Sequence, residues 1–187
     1  GVLEVLNNDS EFKHTGGNLI VSRGQANASV ASVLIDEPGT TNISDTATLQ
    51  LGDGNTPTGD TIGLNSTVTL SNVLVSGDET TAQLMINDLT LTGGLELENN
   101  TTFDANDQNV TLAGDFINSG TYQPGTNTTK FNGAKQRLLG DTEFYDMVVN
   151  SSDSLLLSGS TPTNLTVTDS LSINSAVMVD SANTITM

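Results

Sequence analysis

Few side chains in this chain belong to the types that perform catalysis. The single histidine, His14, lies in a polar stretch beside Lys13, and the chain has no cysteine. Glu96 and Glu98 alternate along one predicted strand, and paired carboxylates are the groups that glycosidases use. No basic residue occupies the aligned positions of the adjoining repeats, and the chain has no tryptophan to form a sugar platform. We predict no catalytic residue and keep a carbohydrate-active lyase or glycosidase as an alternative.

One segment contains the oxygen-bearing side chains that calcium prefers. Asp104, Asn106 and Asp107 follow one another closely, and Asp115 lies a short distance further along the chain. The central glycine and the final glutamate of an EF-hand loop are missing. Because Asp and Asn are also common turn residues, we predict a turn here, with no metal and no cofactor.

The elements that position these side chains repeat along the chain. The pattern of residues 89–97 returns at residues 165–173. Within the first copy, strands begin at Leu89, Leu95, near Phe103 and again at Val110, so the finer period is about 21 residues. A fixed period of roughly 20 residues is the signature of a solenoid.

Apolar and polar residues alternate along each short strand, and Gly, Asn, Asp and Pro separate the strands. Alternation places one set of side chains inside and the other in water. We predict an all-β fold, a right-handed parallel β-helix with three short strands per coil of about 20–21 residues. The predicted interior residues are Leu89, Leu91, Leu95, Leu97, Phe103, Val110, Leu112, Phe116, Leu165, Val167, Leu171 and Ile173.

The charge of the chain disfavours two classes of partner. Five basic residues stand against 22 acidic ones, which gives a formal charge of −17. Such a field repels nucleic acid and anionic head groups. The sequence also has no apolar run of about 18 residues, the length that a membrane-spanning helix needs. We therefore expect no nucleic-acid partner and no membrane insertion.

The pattern extends over the whole chain. Residues 1–187 are predicted to form one β-solenoid segment, less regular over residues 1–45 and regular over residues 46–187. Both ends fall within strand patterns that have no polar cap, and uncapped strand edges pair with other strands. We expect a segment of a longer protein, whose partners are further coils of the same chain or neighbouring copies that stack end to end.

A series of short elements lies between residues 114 and 151: a glycine, a strand, an Asn-x-Gly turn, a Pro-Gly turn, Phe-Asn-Gly, a glutamine and a final strand. In this chain these elements are Gly114, Asn118 to Gly120, Pro124-Gly125, Phe131 to Gly133, Gln136 and Phe144 to Asn150. The series resembles a repeat unit of large secreted surface proteins of Bacteroidetes. The similarity is close within this region and loose elsewhere.

This resemblance implies export by the type IX secretion route and an extracellular, cell-surface location. Regions of this kind form the shaft of proteins that act in gliding, adhesion or filament formation. We therefore expect a structural or adhesive, non-catalytic shaft, which contacts surface glycans or other cells.

The same lineage attaches O-glycans by a rule that several triplets of this chain resemble. The rule asks for Asp, then Ser or Thr, then a small or aliphatic residue. Asp followed by Ser or Thr is also common turn chemistry, so both readings stay open. The possible O-glycosylation residues are Thr46, Thr61, Ser154, Ser170 and Ser181.

Paired threonines suggest a further alternative, an ice-binding solenoid. Flat arrays of Thr-x-Thr on β-helices bind ice, although threonine also suits any solvent-facing strand position. We expect these pairs to face outward in one ladder. The pairs are Thr46/Thr48, Thr67/Thr69, Thr90/Thr92, Thr166/Thr168 and Thr184/Thr186.

Overall fold

The computed structural model is all-β, and it contains 22 strands and no helix among the residues it describes. It describes residues 2–6, 9–25, 30–157, 163–174, 176–179 and 183–187, with only the backbone described at residues 176, 178 and 179. The strands are numbered in chain order, and nearly all of them belong to three sheets.

Sheet I contains β1 (Leu3–Leu6), β4 (Val33–Asp36), β7 (Thr61–Ser66), β9 (Thr81–Leu84), β12 (Thr102–Asp104) and β15 (Thr121–Gln123). Sheet II contains β3 (Gly17–Val21), β6 (Ala47–Leu51), β8 (Asn72–Val75), β11 (Leu95–Leu97), β14 (Phe116–Asn118), β17 (Lys135–Leu139), β19 (Ser154–Leu157) and β21 (Ala176–Val179). Sheet III contains β10 (Leu89–Leu91), β13 (Val110–Leu112), β16 (Thr128–Phe131), β18 (Thr142–Val149), β20 (Asn164–Ile173) and β22 (Thr184–Thr186). A two-stranded sheet contains β2 (Glu11–His14) and β5 (Thr40–Ile43).

In the middle of the chain, the strands follow a regular cycle. The chain passes from sheet II to sheet I to sheet III and then returns to sheet II one level further on, as in β11, β12, β13 and β14. All the paired strands are parallel, so each strand bonds to the coils on either side of it. The predicted parallel β-helix is therefore confirmed.

The length of a coil varies more than the sequence predicted. In sheet II, Val73 pairs with Leu95 and Leu95 pairs with Phe116, so these coils keep close to the predicted length. In sheet I, however, Leu3 pairs with Val33 and Val33 pairs with Leu64, so the first coils are considerably longer. They are longer mainly because the connection from sheet II to sheet I is longer: nine residues separate β6 from β7, whereas two separate β14 from β15. β2 and β5 lie between a strand of sheet I and a strand of sheet II, where the later coils place a strand of sheet III.

The two similar segments, residues 89–97 and 165–173, begin in different columns of the stack. Leu165 pairs with Thr142 and Ile185, so it does not belong to the column of Leu89. The column of Leu89 continues through Val110, Thr129, Met147 and Leu171. The two segments are therefore similar in sequence but do not occupy equivalent positions in the coil. Coil lengths drift, and both β18 and β20 are long strands with a register shift between Phe144 and Asp146.

Most of the predicted interior residues are buried. All of them except Leu171 and Ile173 are at most 2% exposed. Leu171 is only partly buried, and Ile173 is 48% exposed, so its prediction was wrong. The reason is the end of the stack: β22 pairs with Asn164 to Thr166 of β20, and no described strand covers the part of β20 that holds these two residues.

Aromatic rings fill the interior between β12 and β18. Phe116 packs against Tyr122, Phe131 and Phe144, with ring centroids between 5.3 and 6.4 Å apart. Phe103 stacks on Tyr122 at 6.0 Å. Edge-to-face and stacked contacts add to the burial of these large side chains. Three successive coils are therefore joined by one aromatic cluster.

A buried glutamine ties coils together where an apolar residue would be expected. Gln136 is fully buried, and its Nε2 donates to the carbonyls of Leu112 and Gly114 at 3.0 and 2.7 Å. Its Oε1 accepts from the backbone of Gly133 and from the hydroxyl of Ser151. All the polar groups of this side chain are satisfied, as burial requires.

Candidate functional site

The residues that suggested catalysis are not assembled into a catalytic group. Glu96 is exposed on the outer face of sheet II, whereas Glu98 lies in the following turn and accepts a hydrogen bond of 2.6 Å from Ser76. The Nε2 atom of His14 lies 3.0 Å from the carbonyl oxygen of Gly17. The first contact joins neighbouring coils and the second lies within one turn of the chain.

The segment with calcium-type ligands forms a turn. Asp104 accepts hydrogen bonds from the backbone of Asn106 and from Gln83, while Asp115 accepts three from Arg137. The two carboxylates therefore serve different sheets. Among the described residues, no group of three or more acidic or histidine side chains is placed to hold a metal ion.

The five possible O-glycosylation residues differ in access. Thr46 and Ser170 are exposed, and Ser170 is hydrogen-bonded to Asp146. Thr61 is half-buried in β7. Ser154 is only 4% exposed in β19, so its hydroxyl is not accessible in the folded coil. Ser181 lies outside the described residues.

Three ionisable side chains have shifted pKa values. Burial raises the pKa of Tyr122 to about 12, although its hydroxyl bonds to Thr129 and Asn127. A hydrogen bond from the backbone of Asn55 lowers the pKa of Asp53, as expected for a turn carboxylate. Hydrogen bonds to Asp115 raise the pKa of Arg137. Arg137 adjoins the carboxylate of Asp115, but an arginine does not give up its proton in a protein, so this pair is an ion pair and not an acid–base pair.

The predicted ladder of threonine pairs is not formed. Thr48 stacks between Asn18 and Asn72 on sheet II, whereas Thr90 stacks on Thr111 in sheet III. The pairs lie on different faces because the coils before β8 are longer than the later ones.

The structure forms another threonine column, which the sequence analysis missed. Four threonines on successive strands of sheet I pair directly: Thr61, Thr81, Thr102 and Thr121. Each threonine begins a strand and directly precedes a buried residue. This shared position in the sequence could have predicted the column. The column two residues further on contains Gly63, Gln83, Asp104 and Gln123, so the face is not a Thr-x-Thr array.

The outer face of sheet II differs from the other faces in charge. Its eight strands contain one acidic residue, Glu96, and two basic residues, Lys135 and Arg137, a net charge of +1 in a chain of −17. Counted together with Asp115, which directly precedes β14 and bonds to Arg137, these strands are neutral. The acidic side chains of Glu98 and Asp153 border the face in the adjoining turns. The strands of sheet I, in contrast, contain three acidic residues and no basic one.

The same face contains a stripe of apolar side chains. Leu74, Glu96, Ile117 and Leu139 pair in successive strands, with the three apolar members half-buried. A neighbouring column on the same face contains Asn72, Gly94, Asp115, Arg137 and Leu156. A shallow groove runs between the two columns, and Gly94 and Asp115 line it.

A second groove lies where sheet I ends. β15 is the last strand of sheet I, and its neighbour in space is the first half of β18. Tyr122 and Phe144 pack across this junction at 5.4 Å, and Asn118 donates to the carbonyl of Asp141. Polar residues line the groove, among them Gln123, Asp141, Glu143 and Asn164.

No helix in the described part of the chain is long and apolar enough to cross a bilayer. Comparison with known proteins finds no matching family model, no similar curated protein and no similar solved structure.

Proposed function

We propose that this chain is the shaft of an extracellular bacterial surface protein or filament, with a structural or adhesive role and no catalysis. The observation that carries the proposal is the continuous stack of parallel strands, up to eight in sheet II, around one apolar interior. A solenoid of this kind sets a length, because each coil adds one strand spacing of about 4.8 Å.

The extracellular location and the type IX export route rest on the resemblance of residues 114–151 to Bacteroidetes repeats. Two elements of that pattern have a clear physical role in this chain: Gln136 bonds to groups of three coils, and Gly133 lies against the backbone of Ala113. A Cβ atom at Gly133 would lie 1.9 Å from the carbonyl oxygen of Ala113. These roles support a repeat that is selected for stacking.

A coil deletion tests the role as a spacer. Leu89 and Val110 are paired in register, so removal of residues 89–109 excises one whole coil. We expect the shortened chain to fold, to be shorter by about 4.8 Å, and to keep its attachment to the cell. Duplication of the same segment is the matched control in the opposite direction. Loss of all surface activity in both folded variants would argue for a specific site and against a spacer.

Protease treatment of intact cells tests the location. A surface shaft is degraded by protease added outside the cell, whereas a cytoplasmic control protein is not. Protection from external protease would contradict the proposed location.

The mass of the native protein tests modification. Attachment of glycans at Thr46, Thr61 or Ser170 adds whole sugar units to the 19.4 kDa chain.

A specific observation keeps ice binding as a second candidate function. The column of Thr61, Thr81, Thr102 and Thr121 repeats at the strand spacing on one face. Thermal hysteresis measures this activity, and substitution of Thr102 by Lys should abolish it if the column binds ice. Thr90→Lys on sheet III is the matched control.

A further inference from the structure

The neutral, partly apolar outer face of sheet II is unusual on so acidic a molecule. Leu74, Ile117, Leu139 and Leu156 place side chains on this face, each of them half-buried. Charged residues are depleted at the centres of protein interfaces relative to the rest of the surface. The strands of this face are less acidic than those of sheets I and III in a chain of −17, so electrostatic repulsion between copies is weaker here than on the other two sheets.

We propose that this face is a self-association surface, on which a second copy of the chain packs side by side and antiparallel, around a twofold axis near Ile117. A twofold interface uses the same patch on both subunits, so its charges must be complementary to themselves. The arrangement of the charges on sheet II meets this condition.

The order of the strands provides the complementarity. β11 and β17 flank β14 on either side, so rotation about an axis through Ile117 places β11 of one copy opposite β17 of the other. Glu96 then faces the strand that holds Arg137 and Leu139. The columns of Glu96 and Arg137 are two residues apart, about 6.8 Å along a strand. An arginine side chain spans that distance.

Arg137 has a free group for such a contact. It uses Nε and Nη2 to bond Asp115, and its side chain is 53% exposed. Nη1 is not used by these bonds. The twofold axis generates a second contact between Glu96 and Arg137 that is equivalent to the first, so the interface contains two ion pairs. Between them, Ile117 of one copy meets Ile117 of the other. Asp115 directly precedes the same strand, so the two Asp115 side chains also approach each other at the axis, where each is neutralised by the Arg137 of its own copy.

A parallel arrangement would lack this complementarity. With both copies pointing the same way, Glu96 would face Glu96 at the same level, and like charges in contact oppose association. The antiparallel pair is therefore the arrangement that the charges favour. It is separate from end-to-end stacking, because it closes at two copies, whereas end-to-end contacts continue without limit.

A single cysteine tests the geometry. The chain has no cysteine among its residues, so Ile117→Cys introduces a unique thiol on the proposed axis. Two Cβ atoms must approach to about 4 Å to form a disulfide. We expect mild oxidation to convert the folded Ile117→Cys chain into a covalent dimer. The matched control is Ile86→Cys, at a side chain that is 71% exposed and outside sheet II; it should cross-link at least about tenfold more slowly.

Sedimentation velocity tests the association itself. We expect a concentration-dependent dimer of the unmodified chain below about 1 mM. Ile117→Asp places two carboxylates at the axis and should raise the dissociation constant at least about 100-fold. Ile86→Asp is the matched control and should leave dimerisation unchanged. Circular dichroism of each variant shows that the coil remains folded.

A charge reversal tests the pairing of Glu96 with Arg137. Glu96→Arg places arginines opposite each other and should weaken the dimer about tenfold or more. Glu143→Arg makes the same change at an exposed position outside sheet II and should not weaken it.

Three results would overturn the proposal. The first is a chain that stays monomeric up to about 1 mM. The second is equal cross-linking of the cysteine variants at positions 117 and 86. The third is a series of species that grows beyond the dimer and is unaffected by Ile117→Asp; this result would support end-to-end stacking alone, and so would leave the proposed shaft standing.

Discussion

The middle coils and the first coils of this solenoid differ in length. From Leu64 onwards, the coils vary only modestly in length, and those between β9 and β17 contribute three short strands each. Before Leu64, the coils are longer, and β2 and β5 form a two-stranded sheet in the position that sheet III takes in the middle coils. The strands of sheets I and II stay in register through both regions. The extra residues therefore lie between strands. Pairing with the neighbouring coils fixes the positions of the strands but not the lengths of the connections.

The interiors of the two regions also differ. Aromatic rings join β12 to β18, whereas aliphatic residues such as Val33, Ile35 and Leu51 fill the first coils, where Phe12 is the buried aromatic residue. Nearest-neighbour contacts provide the stability of a solenoid. We expect the middle coils to be the more stable region, and each prediction below compares one substitution in the middle with a matched substitution elsewhere.

The largest effect is expected from a charge in the inner column of sheet II. Leu95 is 1% exposed, whereas Leu19, in the same column of the first coils, is only partly buried. Leu95→Asp buries a carboxylate without a partner, so it should lower the free energy of unfolding by more than about 4 kcal/mol. Leu19→Asp should have a clearly smaller effect. Urea titration followed by circular dichroism measures both, and equal losses would contradict the comparison.

The next effect concerns the aromatic cluster. Phe116→Ala removes contacts to three rings and should lower the free energy of unfolding by about 3–5 kcal/mol. Phe12→Ala, in β2, should cause a smaller loss because a two-stranded sheet can relax around the cavity. Hydrogen exchange distinguishes the two, since protection should fall across β12 to β18 only in the Phe116 variant.

A smaller effect is expected at the buried glutamine. Gln136→Ala leaves the groups that it bonds without partners, and the loss should be about 3 kcal/mol. Gln50→Ala removes an amide from the outer face of sheet II, where water replaces it, and should change stability by less than about 0.5 kcal/mol. A Gln136→Ala variant with an unchanged free energy of unfolding would contradict the role that we give to this side chain.

The smallest effect appears only at alkaline pH. The pKa of Tyr122 rises from 10.0 to about 12 on folding, so the folded chain holds this proton more tightly. The associated stability, roughly 2–3 kcal/mol, is complete below pH 10 and is lost as the pH rises towards 12. Thermal melts between pH 8 and pH 12 should show this decline. The matched Tyr122→Phe variant should lack this component of the decline, and an identical pH profile would contradict the assignment.

Alternation and turn residues were enough to predict the fold and most of the interior. Leu95 and Phe103 could be predicted to lie in the interior because an apolar residue that recurs once per coil, in a short strand between two turns, is typical of an interior position. The phase of the second copy could not be predicted, because Leu165 and Leu89 have the same local sequence pattern. Only the pairing of β18 with β20 decides which column each joins.

The outer surface was less predictable than the interior. The neutral character of sheet II depends on which strands share a face, and the residues involved are far apart in sequence: Leu74, Glu96 and Arg137. The threonine column of sheet I was missed for the same reason. The burial of Ser154 beside the buried Leu155 breaks the alternation of β19, so alternation alone would have placed one of the two in water.

The interruption of sheet I after β15 has a mechanical meaning. The backbone hydrogen bonds of this fold point along the solenoid axis, so a pull on the two ends of the chain loads every junction between coils in series. Between β9 and β15 the junctions are held by three paired sheets, whereas sheets II and III alone hold the described coils together after β15. Extension under force should therefore occur in steps, and the separation of Tyr122 from Phe144 should precede the rupture of the coils between β9 and β15. Gln136, which bonds on both sides of this junction, would bear part of that load.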